Sequence, residues 1–191
     1  MSAPIPTGLL CIDAASRRSG LALFSAHSRL LIAKAADLPA SPQIVGDTAR
    51  AFAMALERAE RMGREIALVA DKMLGTLPER FKPRRIIIEY PRIYKKGPGA
   101  NIPTEDILVL AASAMAAWVN LAALFPMAGV EPVRPRDWKG QVKKEIMCDR
   151  IRARLDADEL AVMSASEQAN DNIIDAVGIG LAACSHIREK S

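Results

Sequence analysis

The stretch 8–24 reads GLLCIDAASRRSGLALF. Leu9, Leu10, Cys11 and Ile12 form an apolar run with no polar alternation. Such a run suits a strand at the centre of a sheet covered on both faces. It ends on a carboxylate, Asp13, and after a short polar turn a second apolar run starts at Gly20. The pair predicts a hairpin, strand 8–13 followed by strand 20–25. An acid at the end of a buried strand is costly unless something positive meets it, and a divalent metal ion is the usual answer.

Two later stretches repeat the theme. Residues 84–91, RRIIIEYP, form an apolar strand ending on Glu89. Residues 170–180, NDNIIDAVGIG, place Asp171 and Asp175 four apart, hence on one face of an apolar helix. Ala176, Gly178 and Gly180 are small enough to let that helix lie close to a sheet. Taken singly, each acid has an ordinary use. An Asp after a strand is most often a turn residue, Glu89 can pair with Arg84, and most helical acids face solvent. Asp175 is harder to place in water, because Ile173, Ile174, Ala176 and Val177 surround it. Phosphodiester hydrolysis needs an activated water and charge stabilisation on attacking and leaving oxygens. Two divalent ions about 3.5–4 Å apart meet these demands, and holding them takes carboxylates from several elements.

Working outward, a third strand is expected over 29–35 and an amphipathic helix over about 43–74, with an interruption expected near Gly63. Residues 78–83 read as linker, 85–89 as the fourth strand and 129–134 as the fifth. Helices are expected over 144–155, around Glu159 and Leu160, and over 167–187. Three strands, helix, strand, helix, strand and final helices make a mixed α/β layer. The chain of 191 residues suits one domain spanning 1–191.

Half the residues are hydrophobic and a quarter charged, with a net charge of +4 that permits nucleic acid without demanding it. Cys11, Cys148 and Cys184 lack metal-like spacing and read as thiols of a reducing compartment. No basic segment precedes the N-terminal apolar run, so a secretory signal is not expected and a cytoplasmic location is. Residues 107–125 are long enough to span a membrane, with only Ser113 and Asn120 polar. They are rich in alanine, preceded by Glu105 and Asp106, and lack a basic flank. The expectation is no membrane, but a helix capped by Thr104 and buried on nearly every side by its own sheet and a second subunit.

Phosphate contacts require basic residues. Arg92, Lys95 and Lys96 stand in the Gly- and Pro-rich loop after Glu89, where Tyr90 and Tyr94 offer rings for base stacking. Lys139, Lys143 and Lys144 follow the fifth strand, with Trp138 as an anchor, and Arg17 and Arg18 follow Asp13. Surface lysines are common, and most have no specific task. His27 and His186 have no metal-like neighbours and receive no role.

In Ile12-Asp13, Ser16-Arg17, Ser19 to Ala22, Ile87 to Glu89 and Asn172 to Gly180, the chain resembles the RuvC-like Holliday-junction resolvases of the ribonuclease H-like superfamily, notably the small versions of bacteriophages and prophages. The resemblance covers nearly the whole chain, through short motifs made specific by their order and spacing. It implies a five-stranded mixed sheet flanked by helices, and a homodimeric Mg2+- or Mn2+-dependent endonuclease, with two ions per site, acting on branched DNA such as four-way junctions. It places Asp13, Glu89 and Asp175 as catalytic metal ligands. It leaves the fourth ligand between Asp171, favoured as a carboxylate, and Asn172. It also places a catalytic or phosphate-contacting lysine at Lys143 or Lys144. Ala14-Ala15 departs from the Pro-Gly common in the family. The alternative is a catalytically inactive DNA-binding protein of the same fold, which Asn172 and Ala15 favour. An actin-like ATP-handling protein needs two such domains, and a proofreading exonuclease of this broad fold needs an acid where Ala15 stands.

Overall fold

A computed structural model of the chain describes residues 7–39, 48–78, 81–91, 104–167 and 171–188. Five strands form one sheet: β1 (Thr7–Asp13), β2 (Arg18–Ser25), β3 (Leu30–Asp37), β4 (Lys82–Glu89) and β5 (Gly129–Val133). The order across the sheet is β3-β2-β1-β4-β5. β1 pairs antiparallel with β2 and β2 with β3, whereas β1–β4 and β4–β5 are parallel. The fold is therefore α/β, with the five-stranded mixed sheet flanked by helices that the resemblance implies.

β1 lacks polar alternation because both its faces are covered. Leu10 and Ile12 join Leu21, Leu23, Ile86 and Ile88 beneath α1 (Thr48–Gly75) and α2 (Thr104–Leu124). Leu9 and Cys11 join Phe24, Ile87 and residues of α4 (Lys144–Arg152), α5 (Ala157–Glu167) and α6 (Asn172–Arg188) on the opposite side. Between β5 and α4 lies a short helix, α3 (Pro135–Lys139). Its Pro135 stands at N1, where a missing N–H costs nothing, and it ends at Gly140 in a positive-φ conformation (φ 64°) that glycine adopts without strain.

Several expectations change. α1 runs unbroken through Gly63, because that glycine faces Ala116 of α2 so closely that no Cβ fits between them. β4 begins three residues earlier than the sequence suggests, at Lys82, because Thr7–Asp13 offers a parallel partner along its whole length. Within one chain α2 is covered only on the side that meets α1 and the sheet. Ala114, Ala117 and Leu121 pack toward α1 and the sheet, but Leu108 is 49%, Met115 62% and Val119 60% exposed. By length and composition alone residues 107–124 could cross a membrane. Their two polar side chains bond within the helix: Ser113 Oγ donates to the Val109 carbonyl (3.0 Å) and Asn120 Nδ2 to the Ala116 carbonyl (2.8 Å).

Candidate active site

The parallel register of β1 and β4 puts Asp13 directly beside Glu89, both at the C-terminal ends of central strands. In an open α/β sheet the crevice beyond such ends is the usual ligand site. α6 crosses this end closely. Its N-terminus rests on Gly20 of β2, where a Cβ would strike the backbone of Asn172 and Ile173. Asn172 Nδ2 donates to the Arg18 carbonyl, fixing the start of the helix. One turn later Asp175 comes beside the two strand acids.

The turn after Asp13 is held without Pro or Gly. Ser19 Oγ accepts from the Ala15 N–H (3.0 Å) and donates to the Ala15 carbonyl (3.1 Å). The Arg58 guanidinium of α1 donates to the Ser16 carbonyl (3.0 Å) and to that of Pro39 (2.6 Å). The sequence holds no sign of this clamp, since no short pattern announces a contact so distant along the chain.

α3 completes the site. Trp138 Nε1 donates to Glu89 Oε2. Lys139 Nζ lies 3.2 Å from Asp175 Oδ2 and 3.9 Å from Glu89 Oε1, and 4.7 Å from the centroid of the Trp138 ring. The indole packs against α6 at Gly178, where a side chain would collide with it. Lys144 Nζ reaches Asp171 Oδ2 at 3.1 Å, at the exposed rim.

These groups feel one another strongly. Burial pushes the Asp13 carboxyl well above the ordinary carboxylate range, and the charges of Glu89 and Asp175 push the same way, while Lys139 and Lys144 pull back in part. Glu89 is also raised, first by burial and then by Asp175, against the lowering effects of Lys139 and the Trp138 hydrogen bond. Burial works to lower the Lys139 pKa, but the charges of Glu89, Asp175 and Asp13 and the Asp175 hydrogen bond raise it overall. Asp13, Glu89 and Asp175 thus form one electrostatic unit with Lys139 inside it.

Of the other predicted residues, Asp171 lies beyond this unit, its side chain 76% exposed and paired with Lys144. Asn172 donates to the β2 backbone at the Arg18 carbonyl. Of the three predicted lysines, Lys139 reaches the acids, whereas Lys143 is exposed at the N-cap position of α4. The reason is α3, which turns Trp138 and Lys139 inward together before Gly140 redirects the chain. Arg17 is exposed in the turn after Asp13, and Arg18 pairs with Asp37 at 2.8 Å. Arg92, Lys95, Lys96 and Tyr94 lie outside the described residues.

Three carboxylates converging from β1, β4 and α6 are the hard oxygen donors that magnesium or manganese prefers. The Lys139 ammonium among them shows that this space accepts a cation. As the side chains stand, however, no three potential ligands among the described residues are placed to share one metal ion. The donor set fits a divalent ion; its present arrangement is closed around an ammonium.

No family model matches the chain, and no curated protein matches it. Among solved structures it is similar to Thermus thermophilus RuvC in complex with a Holliday junction substrate, at 18% identity, 96% coverage of both chains and a TM-score of 0.58. It is also similar to the structure of Thermus thermophilus RuvC alone, at 18% identity, the same coverage and a TM-score of 0.53. The fold is RuvC-like.

Proposed function

We propose that this chain is a single-domain, structure-selective DNA endonuclease that hydrolyses phosphodiester bonds in four-way junctions or other branched DNA. The observation that carries this reading is the meeting of Asp13, Glu89 and Asp175 at the open end of a RuvC-like sheet, with lysines beside them. The similar RuvC structure that holds a Holliday junction supports DNA as the ligand. Asp13, Glu89 and Asp175 would hold Mg2+ or Mn2+, two ions per site, with Asp171 at the rim as a further carboxylate. Such ions, when bound, supply an activated water at neutral pH and stabilise charge on the attacking and leaving oxygens. Lys139 and Lys144 offer ammonium groups to a phosphate drawn to the acids, and Arg17 extends the basic rim over the adjoining turn. Products would carry a 5′-phosphate and a 3′-hydroxyl. Two copies, joined through the exposed face of α2, would make paired nicks.

The test is cleavage of synthetic four-way junctions, flaps and linear duplexes by purified protein with Mg2+ or Mn2+. Paired nicks at the junction are expected, with Asp13→Asn and Asp175→Asn each cutting at least about a hundredfold more slowly, since even groups that merely orient metal ligands matter 10- to 100-fold. No cutting with either metal, or unchanged rates in both variants, would sink the proposal. The closed arrangement of the acids favours a second reading, a RuvC-fold protein that binds branched DNA without cutting it. Tight junction binding with intact DNA after prolonged incubation with Mn2+ would select that one.

A further inference from the structure

The acid cluster already contains a cation. Lys139 Nζ bonds Asp175 Oδ2 at 3.2 Å and faces Glu89 Oε1 at 3.9 Å. The other Glu89 oxygen is occupied by the Trp138 indole N–H, so the carboxylate is turned with its free oxygen toward the ammonium. Lys139 also rests on the Trp138 ring, 4.7 Å from its centroid, a favourable placement for an ammonium. Arg134 and Asp137 brace the short helix that presents both residues, through a bidentate pair at 2.8 and 3.0 Å. Lys139 thus stands between two of the three acids, and no three potential ligands among the described residues are placed to share one metal ion.

We propose that Lys139 is a resident counter-cation of the Asp13–Glu89–Asp175 cluster that a divalent metal must displace in order to bind. The proposal rests on the metal-holding part of the function proposed above. In the metal-free protein Lys139 offsets the mutual repulsion of the acids. When a divalent ion enters, the ammonium leaves Asp175 and Glu89 and moves outward, where a DNA phosphate can receive it. Lys139 and the metal are therefore competitors for the same two carboxylates.

The experiment is calorimetric titration of CaCl2, without DNA, into chelator-stripped wild-type protein and into Lys139→Gln, Lys139→Arg and Lys144→Gln. Circular dichroism establishes that each variant is folded. Lys139→Gln is expected to bind Ca2+ about tenfold more tightly than wild type, the scale on which one close opposite charge shifts a carboxylate equilibrium. Lys139→Arg keeps the competing charge and should not tighten binding. Lys144→Gln removes the same charge from the rim and should change the affinity far less. A second readout comes from Trp118→Phe, which leaves Trp138 as the sole tryptophan. Its emission should change on adding Ca2+, as the ammonium leaves the ring, and this change should vanish when Lys139→Gln is added. Equal or weaker Ca2+ binding by Lys139→Gln, or equal tightening by Lys144→Gln, overturns the displacement while leaving the metal site standing. Absence of Ca2+ binding in every folded variant and in wild type overturns both this proposal and the metal-dependent reading.

Discussion

At the scale of single residues, the site is defined by a charge held where water would ordinarily be needed. Asp13 binds its proton more tightly in the folded chain than in the unfolded one, because of burial and then of Glu89 and Asp175. Its contribution therefore opposes folding progressively as pH rises from the ordinary aspartate value of 3.8 through the raised one. Asp13→Asn has no charge to bury, so in chelator-stripped protein it should melt higher than wild type at neutral pH. The gain should shrink as pH falls toward 4, and each kcal/mol relieved should appear as about 2–4 °C in Tm for a chain of this size. Thermal melts across that pH range check it; a gain independent of pH would show that Asp13 carries no such penalty. The three acids were legible because each ends an apolar run or interrupts an apolar helix face. The resemblance points to Lys143 or Lys144 and not to Lys139, which is the one that reaches the acids; all three lie within six positions, and which of them turns inward is decided by the phase of a five-residue helix. Trp138 was legible as an anchor but not as a hydrogen-bond donor to Glu89, a contact that exists only once β4 and α3 meet.

At the scale of elements, the positions of strands and helices follow from which apolar runs can be covered on both faces, and these were readable. What was not readable is how elements are tied. Glu159 is buried although charged, and one carboxylate oxygen accepts from the Leu30 N–H at 2.7 Å while the other accepts from the Asp156 N–H at 3.0 Å. Asp156 Oδ1 in turn accepts from the Glu159 N–H at 2.9 Å, completing a reciprocal cap at the start of α5. The Asp-x-x-Glu spacing of 156–159 is a signal for that cap; the bond to β3 leaves none, because it joins residues far apart in sequence. Glu159→Ala would strip the Leu30 N–H of its acceptor and open the cap together. A loss of about 2–4 kcal/mol is expected, from one orphaned buried donor and one lost cap. Urea unfolding of the variant measures it, and a loss below about 0.5 kcal/mol would mean that water replaces the carboxylate without cost. Since β3 is the far edge of the sheet from β5, cleavage by the folded fraction should be unaffected.

At the scale of the molecule, α2 turns an apolar face outward. Residues 107–124 contain no charged side chain. The sequence points to burial on nearly every side by the sheet and a second subunit, and one chain buries 22% of these residues. Leu108, Met115 and Val119 are left facing outward, and Met115 also lines an apolar hollow with Tyr90, Pro91, Trp118 and Pro132. That hollow begins immediately after Glu89, so a surface covering it would also abut the edge of the site. Exposed apolar faces of this kind mark association surfaces. A second copy is the proposed cover, because self-pairing of one helix face creates a closed two-fold contact and places two sites in one particle. A stable interface needs about 800 Å² from each partner, and a helix of 21 residues, about 31 Å long at 1.5 Å per residue, offers a seam of that order. Placing glutamates at Met115 and Val119 together would set like charges against each other across the seam without touching the acids or α3. Light scattering coupled to size exclusion should give twice the chain mass for wild type and the single mass for Met115→Glu/Val119→Glu. On a four-way junction the monomer should nick single strands without linking one nick to its partner. A wild type that stays monomeric at every concentration, or a double variant that still sediments as a dimer, would move the contact away from this helix.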